Sequence, residues 1–206
     1  MTSVSIIGSG KMGAAIAEVA TRAGARVQII KRSAQSPSAA RDGFDYGVMG
    51  DALAGDLVVL AVPYSAYAGI LEHYRDQLSK KVVIDISNPI DFSTYDELRS
   101  PADSSTAAEL AKMLPKGSAV VKAFNVNLGD TLVAGTNGTT VTTVLYAGDY
   151  ADAKEQVAAL IEAAGMRAVD AGMLTRAREL EAMGFLQIIM ASLGKTSYES
   201  GFTLLQ

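Results

Sequence analysis

The stretch SVSIIGSGKMGAAIAEVATRAG, residues 3–24, constrains this chain more than any other. A short apolar run ends in Gly8, Gly10 and Gly13 at GxGxxG spacing, and the glycines open a segment of helical period that stops at Gly24, a capping glycine. Strand, tight turn and helix in that order are the setting a dinucleotide-binding loop requires. Without the setting the spacing is weak, because glycine fills 19 of the 206 positions. Each glycine answers a different demand. Gly8 permits the tight turn, Gly10 lets the backbone approach a pyrophosphate, and Gly13 lets helix and strand pack closely. The helix N-terminus then offers free N–H groups and a partial positive charge to the phosphates. Lys11 adds a smaller clue, since a cation at a helix N-terminus is mildly unfavourable unless an anion lies close by.

The end of the second strand addresses which dinucleotide is held. An NAD loop places Asp or Glu about twenty residues after the glycines, to bind the ribose 2′-hydroxyl. Here VQIIKRS brings Lys31, Arg32 and Ser33 to that point, two cations and a hydroxyl suited to a 2′-phosphate. The pattern predicts NADP(H) rather than NAD(H).

Beyond the loop, short Val- and Ile-rich runs alternate with helical segments, which predicts an α/β fold: a doubly wound, mostly parallel sheet with a short C-terminal helical extension. Residues 1–206 read as a single domain, with a core over about 1–150 and an extension over about 151–206. Strands are expected at Val4 to Gly8, Arg26 to Lys31, Asp56 to Val62, Lys81 to Ile86, Ala119 to Ala123, Val141 to Ala147 and Met166 to Asp170, with a stub at Tyr46 to Met49. Helices are expected at Lys11 to Ala23, Ser65 to Leu78, Thr106 to Leu114, Ala151 to Ala164 and Thr175 to Leu193. Thr106 and Glu109 have capping-box spacing, and the runs DLVVLAV and KKVVIDI read as apolar on both faces. Phe124 to Gly138 reads as a polar loop with at most a turn at Asp130 to Ala134, and a loop of that length suggests binding. The last helix is charged in its first half and apolar nearly all round in its second, which suggests burial against a second copy in a homodimer.

Several function classes are excluded or disfavoured. A net charge of -4 and a pI near 5.0 give no electrostatic reason to bind nucleic acid or an anionic membrane. The absence of cysteine removes disulfides, thiolate metal sites and a cysteine nucleophile, and no metal-ligand cluster is legible. With no signal-peptide pattern and no spanning apolar run, the chain reads as soluble and cytoplasmic. The one histidine, His73, falls toward the polar side of its helix and reads as a surface residue.

In sheets of this kind the ligand crosses the carboxyl ends of the strands at the switch point. Three strand exits carry suitable chemistry: Pro63 and Tyr64, then Ser87, Asn88 and Pro89, then Lys122 to Asn125. Taken singly each is an ordinary turn, and together they make a pocket rim. Hydride transfer needs proximity and a dry site more than a protein acid or base, and no catalytic residue is assigned.

The motifs IIGSGKMG, VVLAVPY, VVIDISNP, VVKAFN, VLYAGD and VDAGMLTRARELEAMG, in that order, resemble the F420-dependent NADP oxidoreductase family. They are also similar to the cytosolic NADPH-binding domain of six-transmembrane metalloreductases. The resemblance implies a dimeric Rossmann domain that transfers hydride between NADP(H) and a small-molecule acceptor, coenzyme F420 or a flavin. It assigns Ser9, Gly10, Lys11 and Met12 to the cofactor phosphates, and Lys31, Arg32 and Ser33 to the 2′-phosphate. Val62 and Pro63 fall to the ribose region and the Ala123 backbone to the nicotinamide amide. Tyr64, Asn88, Phe124 and Asn125 are expected to form the acceptor pocket. The resemblance departs at Asn125, where deazaflavin enzymes carry histidine, so that AFN has the metalloreductase form. Two other readings compete: a small imine or ketone reductase similar to pyrroline-carboxylate reductases, and an NADPH-binding module without turnover.

Overall fold

The structure is a computed structural model that describes residues 1–35, 43–91, 93–101 and 103–204. Its first half runs β1 (Ser3–Ile7), α1 (Lys11–Arg22), β2 (Arg26–Lys31), β3 (Asp45–Val48), β4 (Leu57–Leu60), α2 (Tyr67–Tyr74) and β5 (Val82–Asp85). Then follow α3 (Thr106–Met113), β6 (Ala119–Ala123), α4 (Gly129–Ala134), the small hairpin β7 (Thr136–Asn137) and β8 (Thr140–Val141), β9 (Thr143–Gly148), α5 (Ala151–Ala163), β10 (Arg167–Asp170) and α6 (Ala177–Ser192). Eight strands form one sheet in the order β10-β9-β6-β5-β4-β1-β2-β3. The order reverses beside β1, which makes the switch point of a doubly wound Rossmann sheet.

Side chains alternate across the strands, so each face has its own core. Ile6, Ile29, Val59, Ile84 and Val121 pack with Ile16 and Val19 of α1 and Val157 and Leu160 of α5. Ile7, Ile30, Leu60, Val83 and Val120 pack with Tyr67 and Ile70 of α2 and Leu110 of α3. Each such Ile, Val or Leu, fully buried, contributes about 1.5 to 3 kcal/mol relative to exposure.

The expected elements are present, with four corrections. The second helix breaks into a 3-10 turn (Tyr64–Ala66), α2 and a further 3-10 turn (Asp76–Leu78). Phe124 to Gly138 is more than a loop, because six residues form α4, which packs on α1. The strand expected from Val141 starts at Thr143, residues Thr140–Val141 having joined the hairpin. The chain between β6 and β9 is taken up by α4, which packs on α1, and by the hairpin, and β9 returns antiparallel to β6 in an otherwise parallel sheet. The cap of α3 is Ser105 rather than Thr106: its hydroxyl accepts the Ala108 N–H at 3.1 Å.

β10 belongs to the main sheet and α5 packs on it, so within residues 151–204 what stands outside that layer is α6 and the tail behind it. The second half of α6 is not uniformly buried: Gln187 is enclosed, whereas Leu186 is 52% exposed. Among the described residues no helix is long and apolar enough to cross a membrane.

Candidate dinucleotide site

The three loop glycines separate by cause once the surrounding atoms are known. Gly8 has φ +119°, and a Cβ there would lie 2.3 Å from the Ala61 carbonyl oxygen. A Cβ on Gly13 would lie 2.2 Å from the carbonyl oxygen of Gly8. Both are demanded by the fold itself. Gly10 is different: its backbone is extended, at φ -74° and ψ -176°, and a Cβ would meet nothing within 4 Å. Among the described residues nothing requires glycine there.

Gly10 borders a cavity of about 800 Å³ at the carboxyl ends of β1, β2 and β4, the switch point. Gly8, Ser9 and Gly10 line one end; Ala61, Val62, Pro63 and Ser65 continue the wall; Arg32, Met49 and His73 also border it. The N-terminus of α1 has no side-chain cap and no acidic residue in its first turn, leaving its amides available to an anion. Gly8, Ser9, Gly10, Arg32, Val62 and Pro63 are thus brought together as expected.

Other expected residues are not on this cavity. Lys31 follows Ile30 on a strand, so its side chain takes the opposite face, where its ammonium lies 5.7 Å from the centre of the Tyr46 ring. Lys11 has an anion close by within the chain: its ammonium is 2.7 Å from the Asp130 carboxylate on α4. The clue read from Lys11 is therefore explained by the fold. Met12 and Ala123 pack in or against the core on the α1 side, and Ser33 lies beyond β2, off the cavity wall.

The expected rim is drawn together only in part. Asn88 and Asn125 form a reciprocal pair: the Asn88 amide donates to the Asn125 carbonyl at 2.7 Å, and the Asn125 amide donates to Asn88 Oδ1 at 2.9 Å. The Asn125 amide also donates to the Leu180 carbonyl of α6 at 2.8 Å, which fixes its orientation. Asn125 Oδ1 is left buried and, among the described residues, without a partner. Gly184 lets α6 come this close, because a Cβ there would lie 2.5 Å from Asn88 Oδ1. Phe124 departs from expectation. It is fully buried in the α1-side core instead of facing a pocket, and it takes φ +61°, a left-handed turn that costs a non-glycine residue about 1 to 3 kcal/mol. Tyr64 packs edge-to-face on Tyr67, centroids 5.4 Å apart. Burial, with the Glu109 carboxylate, raises its hydroxyl above the ordinary value, so it is protonated at neutral pH.

A buried charge cluster beneath this rim was missed by reading KKVVIDI as wholly apolar. Asp85 and Lys122 are paired in register on β5 and β6, and both are fully buried. The Lys122 ammonium donates to Asp85 at 3.1 Å, to Glu181 of α6 at 3.0 Å and to the Ser87 carbonyl at 2.5 Å. Tyr67 donates its hydroxyl to Asp85, and the Ser87 amide does so at 2.8 Å. Burial alone would raise the Asp85 carboxyl, but Lys122, Tyr67 and Ser87 outweigh it and hold it below its ordinary value. Burial, then the Asp85 charge, pushes the Tyr67 hydroxyl well up. The Thr106 hydroxyl donates to Glu181 at 2.6 Å, and the Thr106 amide reaches the same carboxylate at 3.2 Å, so α6 is tied to the start of α3. The signal was present as one acid and one base in consecutive apolar strands, VVID and AVVKA. No metal-holding cluster exists among the described residues.

The sheet order, the glycine turn and the cavity at the switch point define the class: a Rossmann-type α/β domain. Comparison with known proteins makes this more particular. Residues 3–89 match the family model described as NADP oxidoreductase, coenzyme F420-dependent. The chain is 33% identical over 195 residues to the F420-dependent NADP reductase of Methanothermobacter thermautotrophicus, covering 84% of this chain and 82% of that one. The chain belongs to this family of NADP oxidoreductases. It is also 31% identical over 185 residues to Metalloreductase STEAP3 of Rattus norvegicus, covering 87% of this chain but only 36% of that longer protein. In fold it is similar over its whole length to a putative F420-dependent NADP-reductase from Arthrobacter sp. FB24, with a TM-score of 0.87 at 24% identity.

Proposed function

We propose that this protein is an NADP(H)-dependent oxidoreductase whose second substrate is a planar hydride acceptor, a deazaflavin or a flavin. The observation that carries the reading is Gly10: the fold leaves it free of neighbours, and the space before it opens on the switch-point cavity. That is the cradle a diphosphate needs. Gly8 to Gly10 and the amides at the start of α1 would hold the phosphates, with Val62 and Pro63 along the ribose. Arg32 would take the 2′-phosphate through charge-assisted hydrogen bonds.

NADPH when bound supplies the hydride. The chain's own part is to bind, orient and exclude water. The Asn88–Asn125 pair, locked to Leu180, gives a rigid polar edge. The F420-dependent relatives support a deazaflavin, and a flavin is the chemically similar alternative.

Oxidation of NADPH by the purified protein, followed spectroscopically with F420, FMN, FAD and a small cyclic imine offered in turn, tests the reading. Turnover with a deazaflavin or flavin is the expected result; turnover with the imine alone would move the protein to the imine-reductase class. Tight NADPH binding without turnover on any acceptor would make it a binding module. The NADP(H) component has its own test in Arg32→Ala, which is expected to weaken NADPH by about 1.5 to 3 kcal/mol while leaving NADH nearly unchanged. Equal losses for both cofactors would refute the role of Arg32.

A further inference from the structure

We propose that His73, the one histidine of the chain, is a second side chain that reads the 2′-phosphate of NADP(H), at the Arg32 end of the cavity. The proposal rests on the NADP(H) reading above and adds a specificity-determining residue to it.

The helical face that meets the cavity is read from its lining. Ala66, Gly69, Ile70 and His73 border it, a spacing of three, four and seven that marks one side of α2 and the turn before it. Gly69 contributes no side chain, and a Cβ there would meet nothing within 4 Å, so this face opens a slot between α2 and the sheet. His73 ends the stripe, roughly 12 Å of helix beyond Ser65 at the Pro63 end.

A chain of hydrogen bonds fixes which end His73 occupies. The Met49 amide donates to the Lys31 carbonyl at 2.8 Å, so the turn after β3 lies beside the exit of β2. The Gly50 amide donates to the Tyr74 hydroxyl at 2.8 Å, which pins the last turn of α2 to that same turn. His73 immediately precedes Tyr74, with ring centroids 6.3 Å apart. His73 is therefore at the β2 exit, where Arg32 stands.

Chemistry assigns the role. Ile30, Met49 and Ile70 give this end an apolar slot suited to an adenine ring, but a phosphate dianion requires donors. Of the three residues that follow Ile30 on the chain, Arg32 alone lines the cavity, and Lys31 lies on the other face of the sheet. One guanidinium leaves phosphate oxygens in need of a partner. An imidazole donates an N–H in either protonation state, and among the described residues His73 is the remaining side chain at that end able to do so.

Calorimetric titration of the full chain with NADPH and with NADH, for wild type, His73→Ala and His73→Gln, tests this. His73 is exposed, so neither substitution should disturb folding. His73→Ala is expected to weaken NADPH about five- to tenfold and NADH by less than about twofold, with His73→Gln recovering part of the loss through its amide N–H. An unchanged NADPH affinity, or equal losses for both cofactors, would overturn the proposal while leaving the Arg32 reading intact. A wild-type protein with no preference for NADPH over NADH would overturn the NADP(H) reading and this proposal with it.

Discussion

A Gly10→Val protein is expected to fold about as stably as the parent and to lose NADPH affinity by at least about a hundredfold. The backbone at Gly10 is extended and a Cβ meets no atom of the described residues within 4 Å, so the substitution costs the fold no more than about 1 kcal/mol, mostly through the helix cap. The same Cβ and its methyls would stand in the space through which the diphosphate approaches the amides of α1. Loss of two charge-assisted hydrogen bonds, at about 1.5 to 3 kcal/mol each, exceeds the roughly 2.7 kcal/mol that a hundredfold represents. The comparison that gives the test its force is Gly13→Ala, whose Cβ would fall 2.2 Å from the Gly8 carbonyl oxygen and should lower the melting temperature. Thermal unfolding and calorimetric titration of the two variants separate the roles. Retained NADPH affinity in Gly10→Val would remove the loop from the site.

The second large effect is on stability. Lys122→Met should destabilise the protein by about 3 to 5 kcal/mol at neutral pH, because it strands Asp85 and Glu181 in the interior without their shared cation. That is a large part of the 5 to 15 kcal/mol that roughly spans domain stabilities, so urea unfolding should show it clearly. The pH dependence gives the effect a signature. Asp85 has its carboxyl held below the ordinary value, so its contribution is present above the unfolded-state value near 4 and is lost as pH falls through the folded one. In the variant the carboxyls have no cation to favour ionisation and gain less by being charged. The difference between the two proteins should therefore shrink as pH falls below about 4, through the folded-state value of Asp85. Adding Asp85→Asn and Glu181→Gln to Lys122→Met should recover much of the loss, because removing all the charges together leaves no unpaired ion. Equal unfolding midpoints for Lys122→Met and wild type would show that the cluster is not the tie between α6 and the sheet that its geometry indicates.

The fold was legible because its signals are local. A strand, a glycine turn and a helix follow one another within residues 3–24, and period alone separates the later Val-rich runs from the helices between them. Elements whose form depends on distant partners were harder to read. Residues Gly129–Ala134 are too few to display a helical period, and they become helical while packed on α1, over a hundred positions earlier in the chain. Thr106 looks like a cap by spacing, but its hydroxyl is claimed by Glu181, and Ser105 caps instead.

The same division runs through the candidate site. By itself the sequence determined the glycine loop at Gly8 to Gly13, the basic exit of β2 and the parallel order that puts both at one switch point, since turn chemistry and hydrophobic period are written along the chain. Strand alternation could also have been read there, and it puts Lys31 and Arg32 on opposite faces. Only the tertiary structure decided that Gly10 is free while Gly8 and Gly13 are not, that Lys11 is engaged by Asp130, and that Asp85, Lys122 and Glu181 form one buried cluster. It also brought His73 to the cavity that Arg32 borders. The physical reason is shared: the space before a Cβ and the partner of a charge are set by atoms far away in the chain, and those neighbours exist only once the sheet has formed.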